Sequence, residues 1–115
     1  MRNMSFALTT EQYNDRTKTE TMRLGWAFLK PGEVVMGIKQ GQGLKKGEKV
    51  ERLHPFRCAS NTPARVDSTT KANVIAEGFP DWTVEEFIEF FCKSHKCAPD
   101  KVVNRIKFEH LDSQD

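Results

Sequence analysis

The chain has 115 residues, 37% hydrophobic and 30% charged, with 18 Lys and Arg against 16 Asp and Glu. That length fits one domain spanning 1–115, with a core over about 5–111, and the composition excludes collagen-like, low-complexity and disulfide-framework proteins. No apolar run is long enough to cross a membrane, and the start MRNMSFALTT lacks the core of a signal peptide, so a cytoplasmic protein without membrane attachment is expected.

Residues 5–9, SFALT, alternate as a short strand does. Thr9, Thr10 and Glu11 then predict a capped short helix through Tyr13. The stretch RTKTETMR, residues 16–23, sets Arg16, Lys18 and Arg23 around Thr17, Thr19 and Thr21. It reads either as a solvated charged turn or as a site for a phosphate, a carbonyl or a nucleotide. Bulky Leu24, Trp26, Phe28 and Leu29 follow. KPGE (30–33) is a turn with Pro second and Gly third, and VVMGIKQ (34–40) is a strand.

The Gly/Lys-rich connection 41–50 predicts a mobile hairpin, with Lys39, Lys45, Lys46, Lys49 and Arg52 along it. It lacks the order of a phosphate-binding P-loop. A strand follows in VERLHPFRCAS. Residues 83–93 carry the clearest helix: Thr83 and Glu86 make a capping box, and Val84, Phe87, Ile88 and Phe91 recur on one face. Pro99 closes that segment, and DKVVNRIKFEHL predicts a final strand with Val103, Arg105 and Lys107 on one face. These elements do not alternate regularly, which argues against a doubly wound sheet. The expected class is α+β: a small, mostly antiparallel β-barrel with flanking helices.

Charge is uneven along the chain. Lys18 to Arg57 holds nine Lys/Arg against four Asp/Glu, whereas Ala72 to Asp115 holds five against nine. A basic front half points to an anionic partner. The run CKSHKC places Cys92, His95 and Cys97 close together, but a zinc site needs a second ligand pair, and Cys58 and His54 do not form one. Reduced, partly buried cysteines and no metal are expected.

Two stretches carry a family resemblance: KTETMR (18–23) followed by KPGE, and AEGFPDWTVEEFIEFFC (76–92) followed by VVNRIKFEHL. In this order they resemble the ASCH domain family, whose fold is similar to the PUA domain. The resemblance implies a PUA-like barrel with a cleft for RNA or a modified nucleoside, and no cofactor. Some bacterial members are amidohydrolases that remove the acyl group of N4-acetylcytidine with a Lys, a Thr and a Glu. By motif these fall on Lys18, Thr21 and Glu77. In that role Thr21 attacks or positions water, Lys18 serves as base or oxyanion donor, and Glu77 moves the proton to the leaving amine. The same residues have structural readings, with Lys18 and Glu77 as an ion pair and Thr21 as a backbone cap.

Arg16, Thr19 and Arg23 are the expected ligand-binding residues of the first stretch. Trp26 is expected to stack on a base, and Lys39, Lys45 and Lys46 to meet backbone phosphates. Two functions stand side by side: a module binding RNA or a modified nucleoside, and an amidohydrolase acting on acylated cytidine. A protein-binding role for the hairpin 41–49 has no positive signal.

Overall fold

The computed structural model describes residues 1–40, 47 and 49–112. Its elements are β1 (Asn3–Ser5), α1 (Thr10–Asn14), β2 (Glu20–Arg23), β3 (Val34–Ile38), β4 (Arg52–Arg65), α2 (Lys71–Ala76), α3 (Val84–His95) and β5 (Val102–His110). A 3-10 turn, Val66–Ser68, leads from β4 to α2.

The strands form one five-stranded sheet in the order β1-β3-β4-β5-β2. The β1–β3 pair is parallel and the other three are antiparallel. The α+β class and the mostly antiparallel sheet therefore match expectation, but the barrel does not close. Among the described residues β1 and β2 each pair with one neighbour and form the two open edges. The 14-residue β4 runs along β5 for most of its length, and its register shifts between Cys58 and Ser60. A bulge of that kind bends a strand and raises its twist, which curls the sheet without closing it.

Local chemistry explains most element boundaries. In the KPGE turn, Glu33 N–H donates to the Lys30 carbonyl at 3.1 Å, and Gly32 adopts φ 91°. Only glycine takes that angle without strain. Thr83 accepts from the Glu86 N–H while Glu86 Oε1 accepts from the Thr83 N–H, so the capping box opens α3 as its spacing predicts. At α1 the expected hydroxyl cap is not made. Thr10 Oγ1 instead donates to the Phe6 carbonyl at 2.7 Å. The first strand also stops at Ser5, and Ala7 and Leu8 turn the chain.

Two apolar clusters stabilise the fold. Phe6, Tyr13, Val35, Phe56, Ile106 and Phe108 belong to the first, and Met22, Val66, Val74, Phe79, Phe87 and Phe91 to the second. Strand β5 serves both: Ile106 and Phe108 enter the first cluster and Val103 the second. The expected wet face of β5 is thus partly covered. Val103 is buried with the helices, and Val102 is exposed instead.

Gly37 and Gly78 mark close approaches. A Cβ on Gly37 would lie 2.5 Å from the Tyr13 ring, and one on Gly78 would lie 2.8 Å from Gln12. Gly78 sits at φ 104°, so it lets the chain leave α2 and pass against the segment carrying Lys18.

Candidate functional site

The loop between α1 and β2 explains half of the RTKTETMR stretch. Arg16 lies at φ 67°, and Asp15 accepts from both the Thr17 N–H (2.9 Å) and the Thr17 hydroxyl (2.6 Å). Those two hydrogen bonds hold the Asp15 carboxyl below its usual range. Arg16 itself is exposed and pairs with Asp112 at 3.0 Å. Thr17 and Arg16 therefore shape the turn that carries Lys18 inward.

Lys18 is buried, 2% exposed, and so is Glu77 at 4%. Lys18 Nζ donates to Glu77 Oε1 at 2.7 Å and to the Glu77 carbonyl at 2.9 Å. Glu77 Oε2 accepts from the Met22 N–H at 2.9 Å. Two buried charges are tolerated only with this kind of satisfied geometry. Burial pushes the Lys18 ammonium down, against the upward pull of Glu77. The Lys18 carbonyl is held from behind by His110 Nε2 at 2.6 Å, and His110 Nδ1 lies 2.7 Å from His54 Nε2. A carbonyl only accepts, so His110 Nε2 carries the proton and the His54 Nε2–H donates onward to His110. Both rings are pushed down chiefly by burial, His54 to about 4.

Strand β2 alternates about this pair. Thr21 and Arg23 share one face, and Glu20 and Met22 the other. Arg23 Nε donates to Thr21 Oγ1 at 3.0 Å, and its guanidinium lies 4.9 Å from the Phe6 ring centroid. Among the described residues no protein acceptor meets the two terminal nitrogens of Arg23. Burial pushes its guanidinium down to about 10, so it remains charged at neutral pH. On the opposite face Glu20 accepts from Asn73 Nδ2 at 2.9 Å and lies 3.6 Å from Arg105 Nε. Burial first, and Glu77 second, push the Glu20 carboxyl up.

Lys18, Thr21, Arg23 and Glu77 line one cleft of about 250 Å³. Its apolar walls come from Phe6 on one side and Phe79, Phe87, Phe90 and Phe91 with α3 on the other. His95 completes that wall, its Nδ1 donating to the Phe91 carbonyl at 3.0 Å. The cleft therefore offers a desolvated cation, a buried ion pair and a hydroxyl among aromatic rings. A flat ligand with a carbonyl or anionic acceptor fits that chemistry.

The three residues that the resemblance places in catalysis, together with Arg23, thus meet in space. Four others lie elsewhere. Arg16 is tied to Asp112 outside the cleft, and Thr19 lines a separate groove with Glu20, Asn73 and Lys107. Trp26 packs on the first core cluster with its ring 5.1 Å from Phe28, so it does not wall the cleft. Lys39 is exposed at the end of β3, away from the cleft lining. Lys45 and Lys46 lie outside the described residues. Sequence reasoning missed the aromatic walls because Phe87 and Phe91 occupy ordinary core spacings on α3. Trp82, read as core, does stack on Phe79 at 4.2 Å.

Among the described residues no group of three or more His, Cys, Asp or Glu could hold a metal ion. No helix there is long and apolar enough to cross a membrane.

No family model and no curated protein matches the sequence. Solved structures do. A crystal structure of a DUF984 protein from Enterococcus faecalis superposes with a TM-score of 0.70 at 15% identity, covering 97% of this chain and 77% of that one. An ASCH domain from Lactobacillus crispatus gives a TM-score of 0.55 at 13% identity, covering 95% and 79%. The chain accordingly has the fold of the ASCH domain, as KTETMR and AEGFPDW led one to expect.

Proposed function

We propose that this protein is a binding module for RNA or a modified nucleoside, holding one base in the cleft between Phe6 and α3. One observation carries the reading: the Arg23 fork lines an aromatic cleft with its terminal nitrogens unpartnered among the described residues. A guanidinium in that setting favours a carbonyl edge or a phosphate, and the rings supply stacking worth about 1–3 kcal/mol per base. The basic stretch from Lys18 to Arg57 supports an anionic partner. Calorimetric titration with N4-acetylcytidine, cytidine and short single-stranded RNA tests it. Binding of at least one of these, weakened about tenfold or more in Arg23→Gln, is the expected result. No binding to any of them, or binding indifferent to Arg23, overturns it.

A second reading, amide hydrolysis of an acylated cytidine, has its own support in the buried Lys18–Glu77 pair beside Thr21. Lys18 is pushed down by burial, which suits a group that gives and takes a proton. Thr21 Oγ1 is engaged by Arg23 and makes no hydrogen bond to Lys18 or Glu77, so direct attack requires that contact to exchange when substrate enters. Binding is the better-supported reading for that reason. Chromatography for cytidine released from N4-acetylcytidine separates the two. Turnover that vanishes in Lys18→Ala, in a variant shown folded by circular dichroism, makes the cleft catalytic, and its absence in a protein that binds leaves the module.

A further inference from the structure

The last turn of α3 brings together two thiols that the cleft does not use. Lys96 ends the helix in the left-handed conformation, φ 52° and ψ 51°. Both its N–H and the Cys97 N–H return to the Cys92 carbonyl, the latter at 3.1 Å. This is the ending in which the residue two beyond the helix folds back over the residue that starts its last turn. Here those residues are Cys97 and Cys92, where an apolar pair usually stands.

We propose that Cys92 and Cys97 are a reversible dithiol that closes into a disulfide by exchange with a small disulfide such as oxidised glutathione. Both side chains are half-buried at the edge of the second core cluster, whereas Cys58 is sealed at 1% exposure. A groove of about 570 Å³ runs beside the pair, lined by Glu85, Ile88, Glu89, Lys93 and Pro99, and gives a small disulfide access. Lys93 faces two carboxylates in that groove, Glu85 and Glu89, so exchange runs through the thiolate fraction that alkaline pH provides.

The exchange has two steps. One thiolate attacks a sulfur of the small disulfide, forming a mixed disulfide and releasing one small thiolate. The second cysteine's thiolate attacks the protein sulfur of that mixed disulfide, forming the Cys92–Cys97 bond and releasing the other. Two protein thiols are oxidised, one small disulfide is reduced, and the two protons lost by the protein thiols are taken up by the two released small thiolates. Burial and the adjacent Cys97 push the Cys92 thiol up, so exchange speeds up as pH rises.

The full chain, reduced and then incubated with oxidised glutathione at mildly alkaline pH, is alkylated under denaturing conditions, digested and weighed by mass spectrometry. The expected product is a monomer with Cys92 joined to Cys97 and Cys58 alkylated. Cys97→Ser, checked by circular dichroism, should stop at a Cys92–glutathione mixed disulfide. Closure should be favoured about tenfold in the folded chain over the same chain in guanidinium, because the helix end holds the thiols together. Wild-type protein in which both cysteines stay free, or carry glutathione separately, overturns the proposal. Equal closure in folded and unfolded chains overturns it too, by showing that sequence proximity alone is responsible.

Discussion

Lys18 and Glu77 stand 59 residues apart in the chain and 2.7 Å apart in the fold. The pair joins the loop before β2 to the end of α2, and both partners are almost wholly buried. A buried ion pair of this kind adds little net stability, because desolvation offsets the attraction. Removing one partner, however, strands a charge at a cost of about 3–5 kcal/mol.

Lys18→Met and Glu77→Leu should therefore each lower unfolding free energy by about 3–5 kcal/mol in urea titrations, while the double variant recovers a large part. The recovery will be incomplete because the Met22 N–H loses its acceptor with Glu77. Strictly additive losses would mean that the pair is not energetically coupled.

Stability should fall with acid through the histidines behind Lys18. His54 is pushed down to about 4 by burial, and His110 is lowered as well. The unfolded chain, with histidines near their usual 6.5, therefore binds more protons between about 4 and 6.5. The contribution is fully present above that window and is lost as pH falls through it. For His54 the full shift corresponds to about 3 kcal/mol, which solvent screening reduces to about 2 kcal/mol. Glu20, pushed up by burial, acts in the opposite sense at the acid end. The difference in unfolding free energy between wild type and His54→Gln, followed against pH, isolates the histidine. A flat difference across the window would contradict the assignment.

Two glycines at positive φ should respond differently to alanine. Gly25, φ 80°, has nothing within 4 Å of a built Cβ, so Gly25→Ala carries only backbone strain of about 1 kcal/mol. Gly78, φ 104°, adds a Cβ 2.8 Å from Gln12 Cβ, and Gly78→Ala should cost about 2–3 kcal/mol. The Gly78 variant should also weaken ligand binding, since Glu77 is its neighbour in the chain. Thermal melts of both variants decide this. Equal losses would show that the contact with Gln12 does not matter.

Loss of the capping box should weaken the wall of the cleft that α3 provides. Thr83→Ala removes the acceptor for the Glu86 N–H and should destabilise by about 1 kcal/mol. Thr83→Ser keeps the hydroxyl and should restore most of that, as read from denaturation midpoints.

Elements governed by neighbours in sequence were legible in advance. The helix at 83–93 followed from Thr83, Glu86 and the spacing of its apolar residues, and the 30–33 turn from Pro31 and Gly32. Helix α2 was missed, although Thr70 and Asn73 cap it reciprocally, because six residues show too little periodicity to stand out. Trp26 looked like a stacking residue because it follows Arg23 so closely. Past the end of β2 and Gly25 at φ 80°, the chain carries Trp26 onto the other core cluster. Barrel closure could not be read either, since it depends on which strand edges find partners.

The amino-acid sequence by itself determined the local pieces: the capped helix, the Pro-Gly turn, the presence of a last strand at 102–110, and the Lys-Thr-Thr-Arg and Glu-Gly-Phe stretches that pointed to the ASCH fold. The tertiary structure alone decided that Lys18 and Glu77 meet, that Arg23 lines the cleft with its terminal nitrogens unpartnered among the described residues, and that Arg16 and Thr19 do not join it. Spacing of 2 or 3.6 residues sets which side chains share a face. Pairing between β2 and β5, with α2 packed behind, sets which faces meet, and that is a property of contacts made far along the chain.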